Sequence, residues 1–329
     1  ESRLVWPAFF GKKNEKETVK GNTEQEVAEP EITEPGGSEQ EATEPGDTEP
    51  ETPPSEENQS GENTAKEQET VALPHPQIDL SQAKLADFDY VMNQFFILDS
   101  NTETNAQQIS APSFLKEDLS VKKDSSVPQI LIYHTHGSEG YADSVEGDPN
   151  TSVIAVGNRL TQILQDTYGY HVLHDTGIYD TDRDHAYNVA APFVQKILQD
   201  HPSIEVVIDL HRDGVADTTR LATNINGVDM AQVMFFNGLS KTTATGDIDY
   251  LRNPYIEDNL AMSLKMQLAA TEMYPGLTRK IYLKSYRYNM HLCPKSLLIE
   301  VGAQTNTLQE AVNAMDPLAQ ILDKVLSGK

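Results

Sequence analysis

Three separated stretches of the chain carry the side chains a metal hydrolase needs. His134-Thr-His136-Gly-Ser-Glu139 follows one short apolar run, Asp209-Leu-His211-Arg212-Asp213 ends a second, and Glu300 stands inside a third. Imidazole and carboxylate are donors that zinc accepts, and catalytic zinc usually takes about three protein ligands and keeps a fourth position for water. The ion brings the pKa of that water toward about 7 and polarises a carbonyl. His136 and Glu139, three apart, can reach one ion from a turn. His134 and His136 share a face only if the strand continues through them, and Gly137 argues that it stops. His134 is therefore either a ligand or a hydrogen-bonded loop residue.

Glu300 poses a sharper question, because an ionised carboxylate inside an apolar run costs several kcal/mol unless it is paired. It has either a partner, with Arg212 and Arg287 as candidates, or a task. The task is general base, taking a proton from the attacking water and handing it to the leaving amine, for which a pKa raised by burial is useful. Arg212, beside His211, is placed to orient Glu300, to bind a substrate carboxylate, or to sit in an ordinary surface pair. Asn289 and His291, in Arg287-Tyr-Asn289-Met-His291, are candidates for contacting substrate or supporting the ligands. His174 with Asp175 and His185 with Asp184 are weaker supporting candidates, while His75, His171 and His201 read as structural or solvated. The one cysteine, Cys293, excludes an internal disulfide and a thiolate zinc cluster. With no base near it in sequence, it reads as a packing residue.

The elements that must position these groups alternate in type. Short apolar strands are expected over 129–133, 170–173, 204–210, 232–236 and 296–301. Helices are expected over 151–168, 190–200, 257–274 and 307–326, with Gly169 and Pro275-Gly276 as stop signals. Strands alternating with helices predict an α/β fold, a mostly parallel twisted sheet flanked by helices. Such a sheet gathers its site at the carboxyl ends of its strands. If the three motif-bearing strands are parallel neighbours, their ends converge on one cleft.

Composition divides the chain unevenly. Residues 14–70 hold 18 acidic and 3 basic residues, no aromatic residue and six prolines, with Glu-Pro at 29–30, 34–35, 44–45 and 49–50. Such a stretch cannot bury a core and favours an extended, solvated tether. Only about 240 to 250 residues look able to build a core. The expected organisation is a juxtamembrane remnant at 1–13, a disordered Glu/Pro-rich linker at 14–72, a small lead-in at 73–126 and one catalytic domain at 127–329. Within the lead-in, 87–99 reads as a helix end or a strand. The whole chain carries a formal charge of −26, which argues against nucleic acid, where phosphates attract a basic face. No run approaches the roughly 20 apolar residues of a membrane span. The first residue is Glu1 rather than Met, so an upstream signal or anchor is an open expectation.

Together, Ile130-Leu-Ile-Tyr-His-Thr-His-Gly-Ser-Glu-Gly-Tyr141, Asp209-Leu-His-Arg-Asp213, Glu257-Asp-Asn-Leu260, Arg287-Tyr-Asn289, Ser296-Leu-Leu-Ile-Glu-Val-Gly-Ala303 and Asn306-Thr-Leu-Gln-Glu-Ala311 resemble the stage II sporulation protein P family. The motifs keep their order over residues 88–327. That family is grouped with the zinc-dependent N-acetylmuramoyl-L-alanine amidases. The resemblance implies a peptidoglycan hydrolase that removes stem peptides from glycan strands, with a cross-link endopeptidase activity at the same site. It implies zinc held by His136 and His211, with Glu300 as the catalytic acid-base. In wider amidases the carboxylate ligand stands at the start of the first helix, where this chain has Asn150 and Thr151. Glu139 is the replacement, and Glu146 the fallback. A membrane-anchored protein outside the mother-cell membrane is also implied, acting at the sporulation septum and engulfing membrane. Its partner would be a lytic transglycosylase like stage II sporulation protein D. A rival reading keeps the fold and loses the site, leaving a wall-binding scaffold, and the missing helix-start carboxylate speaks for it. A zinc peptidase confined to stem-peptide links would use the same residues.

Overall fold

Apolar runs without polar alternation are satisfied by a sheet covered on both faces, and the computed structural model builds one. It describes residues 78–328, so the expected remnant at 1–13 and linker at 14–72 lie outside the described residues. The described residues open with helices α1 (Gln82–Leu85) and α2 (Phe88–Phe95), strand β1 (Phe96–Leu98) and helix α3 (Ala111–Phe114). Then come β2 (Ile130–Tyr133), α4 (Val153–Asp166), β3 (Val172–His174), α5 (Ala186–Asp200) and β4 (Val206–Asp213). Two small hairpins, β5 (Ala222–Ile225) with β6 (Val228–Ala231) and β8 (Lys241–Thr242) with β9 (Gly246–Asp247), flank β7 (Val233–Gly238). Helix α6 (Ile256–Met273), strands β10 (Ile281–Lys284) and β11 (Lys295–Ala303), and helices α7 (Leu308–Asn313) and α8 (Met315–Leu326) complete it.

Seven strands form one sheet in the order β1-β10-β7-β11-β4-β2-β3. Every neighbouring pair is parallel except β7 with β11. This is the mostly parallel sheet the alternating pattern predicts. The motif strands β2, β4 and β11 are consecutive and run the same way, so their carboxyl ends lie side by side.

Side-chain parity sorts the two faces. Ile130, Ile132, Val206, Ile208, Leu210, Leu297, Ile299 and Val301 belong to the large core shared with residues of α4, α6 and α8. Leu131, Tyr133 and Val207 belong to a smaller cluster with Ala190 and Val194 of α5. Because successive strand residues face opposite sides, Asp209, His211 and Glu300 share the α5 side of the sheet. Cys293 packs in the same small cluster, and its buried thiol is pushed up to about 11, as suits a packing residue.

Three expected elements differ in detail. The stretch 87–99 is both helix and strand: Asp87 caps α2 through the Tyr90 amide at 3.1 Å, and β1 then pairs with β10 as a sheet edge. Helix α5 begins at Ala186 rather than Ala190 and carries Pro192 in its interior. The last helix is two. Pro317 has no N–H, and its ring would collide with the Asn313 carbonyl in a continuous helix; α7 accordingly ends at Asn313 and α8 starts at Met315.

One contact beneath the motif strands is unusually close. A Cβ on Gly157 of α4 would lie 2.7 Å from His174 Nε2 and 2.8 Å from His134 Nε2. Gly157→Ala should therefore lower stability by about 1–3 kcal/mol through overpacking. Urea denaturation of the two proteins checks this, and equal midpoints would show that the imidazoles move aside freely.

Candidate active site

The site lies where β2, β4 and β11 end. Glu300 is paired in register with His211 across β11 and β4, and Tyr133 with Asp209 across β2 and β4. The chain leaving β2 carries His136 and Glu139 over the same ends. His136 and His211 meet edge to face, with ring centres 5.4 Å apart. His211 is held between two carboxylates, Asp209 Oδ1 lying 2.8 Å from its Nε2 and Glu139 Oε2 lying 3.5 Å from its Nδ1. All four residues are at most 4% exposed.

Each carboxylate is itself fastened. Asp209 accepts from the Thr135 amide at 2.8 Å and the Thr135 hydroxyl at 2.6 Å. Glu139 Oε1 accepts from Arg183 Nη2 at 2.8 Å, and Oε2 from the Arg212 amide at 3.1 Å. The main chain of Glu139 is tied as well, since the Val153 amide donates to its carbonyl at 2.9 Å and Gly140 bridges Ser152. Glu139 thus sits against the start of α4, while Glu146 is exposed on the following loop.

The charges follow from these contacts. Burial works against an imidazolium at His211, yet Asp209 and Glu139 hold its pKa well above the usual histidine value. Burial would raise Glu139, but the hydrogen bond and charge of His211, with Arg212 and His136, keep it well below the carboxylate range. Asp209 is held low in the same way by His211 and Thr135. Burial and the neighbouring His211 bring His136 down to about 4, so it is neutral. Glu300 is pushed up to about 8 by burial and by Glu139, Asp213 and Asp209, against the pull of His211. It keeps part of its surface open, although its Oε2 is sealed and has no hydrogen-bond partner.

Three sealed polar atoms lack a hydrogen-bond partner here: His136 Nδ1, His211 Nε2 and Glu300 Oε2. The 2.8 Å contact of His211 Nε2 with Asp209 is close but off the N–H direction. Two imidazoles on one tetrahedral ion, at about 2.0–2.1 Å from each nitrogen, have ring centres roughly 5 Å apart, and the observed 5.4 Å is compatible. The donor chemistry of His136, Glu139 and His211 therefore fits zinc. Among the described residues, no three His, Cys, Asp or Glu side chains already converge as ion ligands, because Glu139 is turned to Arg183 and His211 is shared between two acids.

The remaining sequence candidates are dispersed. His134 turns to the α4 side. Its Nδ1 donates to the Leu210 carbonyl at 2.7 Å, which leaves Nε2 to accept from His174 Nε2 at 2.9 Å. Burial and His174 bring His134 down to about 3. Arg212 stays with Glu139, its amide on Oε2 and its Nη1 3.8 Å from Oε1, and its guanidinium also donates to the carbonyls of Gly140 at 2.9 Å and Asp213 at 3.2 Å. Asn289 Nδ2 donates to the Tyr187 carbonyl at 2.9 Å. His291 lies on the 3-10 turn Met290–Leu292 with a sealed, unpartnered Nδ1. Sequence reasoning passes over four residues that the structure brings in: Asp209, Thr135, Arg183 and Tyr187. Asp209 had a signal, being two residues before His211 in a strand and equally buried. Arg183 and Tyr187 had none.

The sequence profile described as stage II sporulation protein P matches residues 6–323. The stage II sporulation protein P of Bacillus subtilis (strain 168) is 25% identical over 215 residues, covering 60% of this chain and 50% of that protein. The chain thus spans about half the length of the curated relative it matches. Among solved structures, it is similar to the CwlD amidase from Clostridioides difficile in complex with the GerS lipoprotein. That match has 14% identity and a TM-score of 0.39, over 61% of this chain and 100% of that one. It is also similar to an N-acetylmuramoyl-L-alanine amidase from Clostridium difficile 630, with 12% identity and a TM-score of 0.40, over 61% of this chain and 95% of that one.

The Thr135 clamp is open to test. Thr135→Val keeps the shape and removes one donor from a buried carboxylate, so it should cost about 1.5–3 kcal/mol. An unchanged urea midpoint would mean that the amide of residue 135 suffices.

Proposed function

The chain belongs to the stage II sporulation protein P family, and from that premise we propose that it is a zinc-dependent peptidoglycan hydrolase. Its reaction is cleavage of the lactyl amide between N-acetylmuramic acid and the stem peptide, the N-acetylmuramoyl-L-alanine amidase reaction. One observation carries the reading: three consecutive parallel strands bring His136, Glu139 and His211 together with Glu300 at one sheet edge.

His136, Glu139 and His211 would hold the ion. When bound, zinc supplies a Lewis acid for the amide carbonyl and for water. Glu300 takes a proton from the attacking water as its oxygen bonds to the carbonyl carbon. The C–N bond then breaks, and the carboxyl returns that proton to the departing amino group of the stem peptide. Asp209, 2.8 Å from His211 Nε2, sets a negative charge against that imidazole, and Thr135 fixes Asp209 in turn. The place of Glu139 against the start of α4 supports its role as the carboxylate ligand. A peptide cross-link presents the same amide chemistry, so endopeptidase cleavage at this site is part of the proposal. The setting proposed is extracytoplasmic, at the engulfing membrane, with 14–72 as a spacer ahead of the catalytic part. No described helix is long and apolar enough to cross a membrane.

A wall-binding scaffold is the second reading, supported by Asn150 and Thr151 standing where wider amidases carry a carboxylate at the start of the first helix. Zinc content separates the two, since a degenerate site should hold less than one ion per chain.

Two outcomes are expected. Removing metal with a chelator should abolish release of peptide from purified cell wall, and added zinc should restore it; full activity after verified metal loss would reject the mechanism. Glu300→Gln should keep its zinc and lose about 10²–10⁴-fold in turnover, with mass spectrometry of the products distinguishing lactyl-amide from cross-link cleavage. Undiminished turnover in that variant would remove the general-base role.

A further inference from the structure

Tyr187 stands in the first turn of α5, and its ring lies against both imidazoles of the site. It meets His136 edge to face at 5.6 Å and 89°, and lies nearly parallel to His211 at 6.4 Å and 20°. Several features hold that ring in place. Tyr288 meets it edge to face at 5.3 Å and is backed by Phe236 at 4.7 Å. Asn289 Nδ2 donates to the Tyr187 carbonyl. Tyr288 and Asn289 both adopt left-handed backbone, with φ of 49° and 58°, an expensive choice for two consecutive non-glycine residues. Their turn closes onto β7 only because Gly238 has no side chain: a Cβ there would lie 1.9 Å from the Tyr286 carbonyl oxygen and 2.8 Å from the Tyr288 ring. Strain and close approach thus converge on fixing one phenol.

The hydroxyl of that phenol is left unused. Tyr141, another tyrosine near Glu139 and Glu300, gives its O–H to the Val301 carbonyl at 3.2 Å. The Tyr187 hydroxyl has no hydrogen-bond partner among the described residues, and it is not sealed from solvent. A donor locked by its ring and main chain while its O–H stays available needs little reorganisation when a partner arrives. Beside His136, His211 and Glu300, that partner is the group being cleaved.

We propose that Tyr187 is a catalytic hydrogen-bond donor, meeting the carbonyl oxygen of the scissile amide and stabilising the negative charge that builds there. The proposal rests on the hydrolase reading above. The O–H bond stays intact throughout: Tyr187 transfers no proton, and the proton given to the leaving amine comes from Glu300.

The test uses the full chain and Tyr187→Phe, which keeps the ring and removes only the hydroxyl. Peptide release from purified peptidoglycan gives kcat and KM; zinc content and melting temperature are measured on the same samples. The variant should match the parent in zinc and melting temperature, keep its KM, and lose about 10²-fold in kcat, the scale of one lost oxyanion donor. An unchanged kcat overturns the proposal. So does a loss confined to KM, or one that follows lost zinc or a lowered melting temperature, since each assigns the ring a binding or structural part. If the parent protein holds zinc yet releases no peptide fragment, the hydrolase reading falls and this assignment falls with it. A parent that cleaves beside an equally active variant removes this assignment alone.

Discussion

Everything at the sheet edge answers to one constraint: an imidazole, His211, buried between two carboxylates. Buried ionised groups are tolerated only in mutual company and with their remaining lone pairs bonded. Here two acids and one imidazolium leave a negative balance, and the surroundings absorb it. Arg183 reaches Glu139 from an exposed turn, the Arg212 amide completes the other oxygen, and Thr135 gives Asp209 both its amide and its hydroxyl. Glu300 settles the same balance differently. Burial and three nearby acids push its pKa up to about 8, the range in which a carboxyl can both take and return a proton near neutral pH. Two carboxyl groups on neighbouring strands are thus driven in opposite directions by their surroundings, the separation that proton-transfer chemistry exploits.

The sheet makes this possible through direction and parity together. Parallel β2, β4 and β11 present their carboxyl ends on one edge, and period-two alternation puts Asp209, His211 and Glu300 on one face. The opposite face of the same strands is given to the large core, so support and chemistry never compete for a side chain. His134 shows what parity decides. It is two residues from His136, yet it points to the α4 side and forms a neutral pair with His174 over Gly157. His136 escapes that face only because the chain has already left the strand.

Much of this was legible in the sequence, and the rest was not for identifiable reasons. Uninterrupted aliphatic runs mark buried parallel strands, and a glutamate within one of them announces a partner or a task; both signals are local. Asp209 was legible by the same logic as Glu300, because it too sits in an apolar strand and shares a face with His211. Arg183 contacts Glu139 across 44 residues from the short 3-10 turn Arg183–His185, too brief for any periodicity to point the way. Tyr187 lies in the turn of α5 ahead of the expected start at Ala190, and Pro192, a residue more usual in a helix's first turn, leaves that extra turn without a local mark.

The state of Glu139 connects the fold to the chemistry proposed for it. Its carboxylate is engaged by Arg183 and faces a charged His211, so the site is electrically closed by one guanidinium and one imidazole proton. On the zinc reading, a divalent ion brings two positive charges to the same place. Ligation requires the imidazole nitrogen to be free of its proton, and Glu139 to turn from Arg183, whose side chain is 55% exposed and can return to water. The exchange would conserve charge in the buried region, one ion standing in for a proton and a guanidinium.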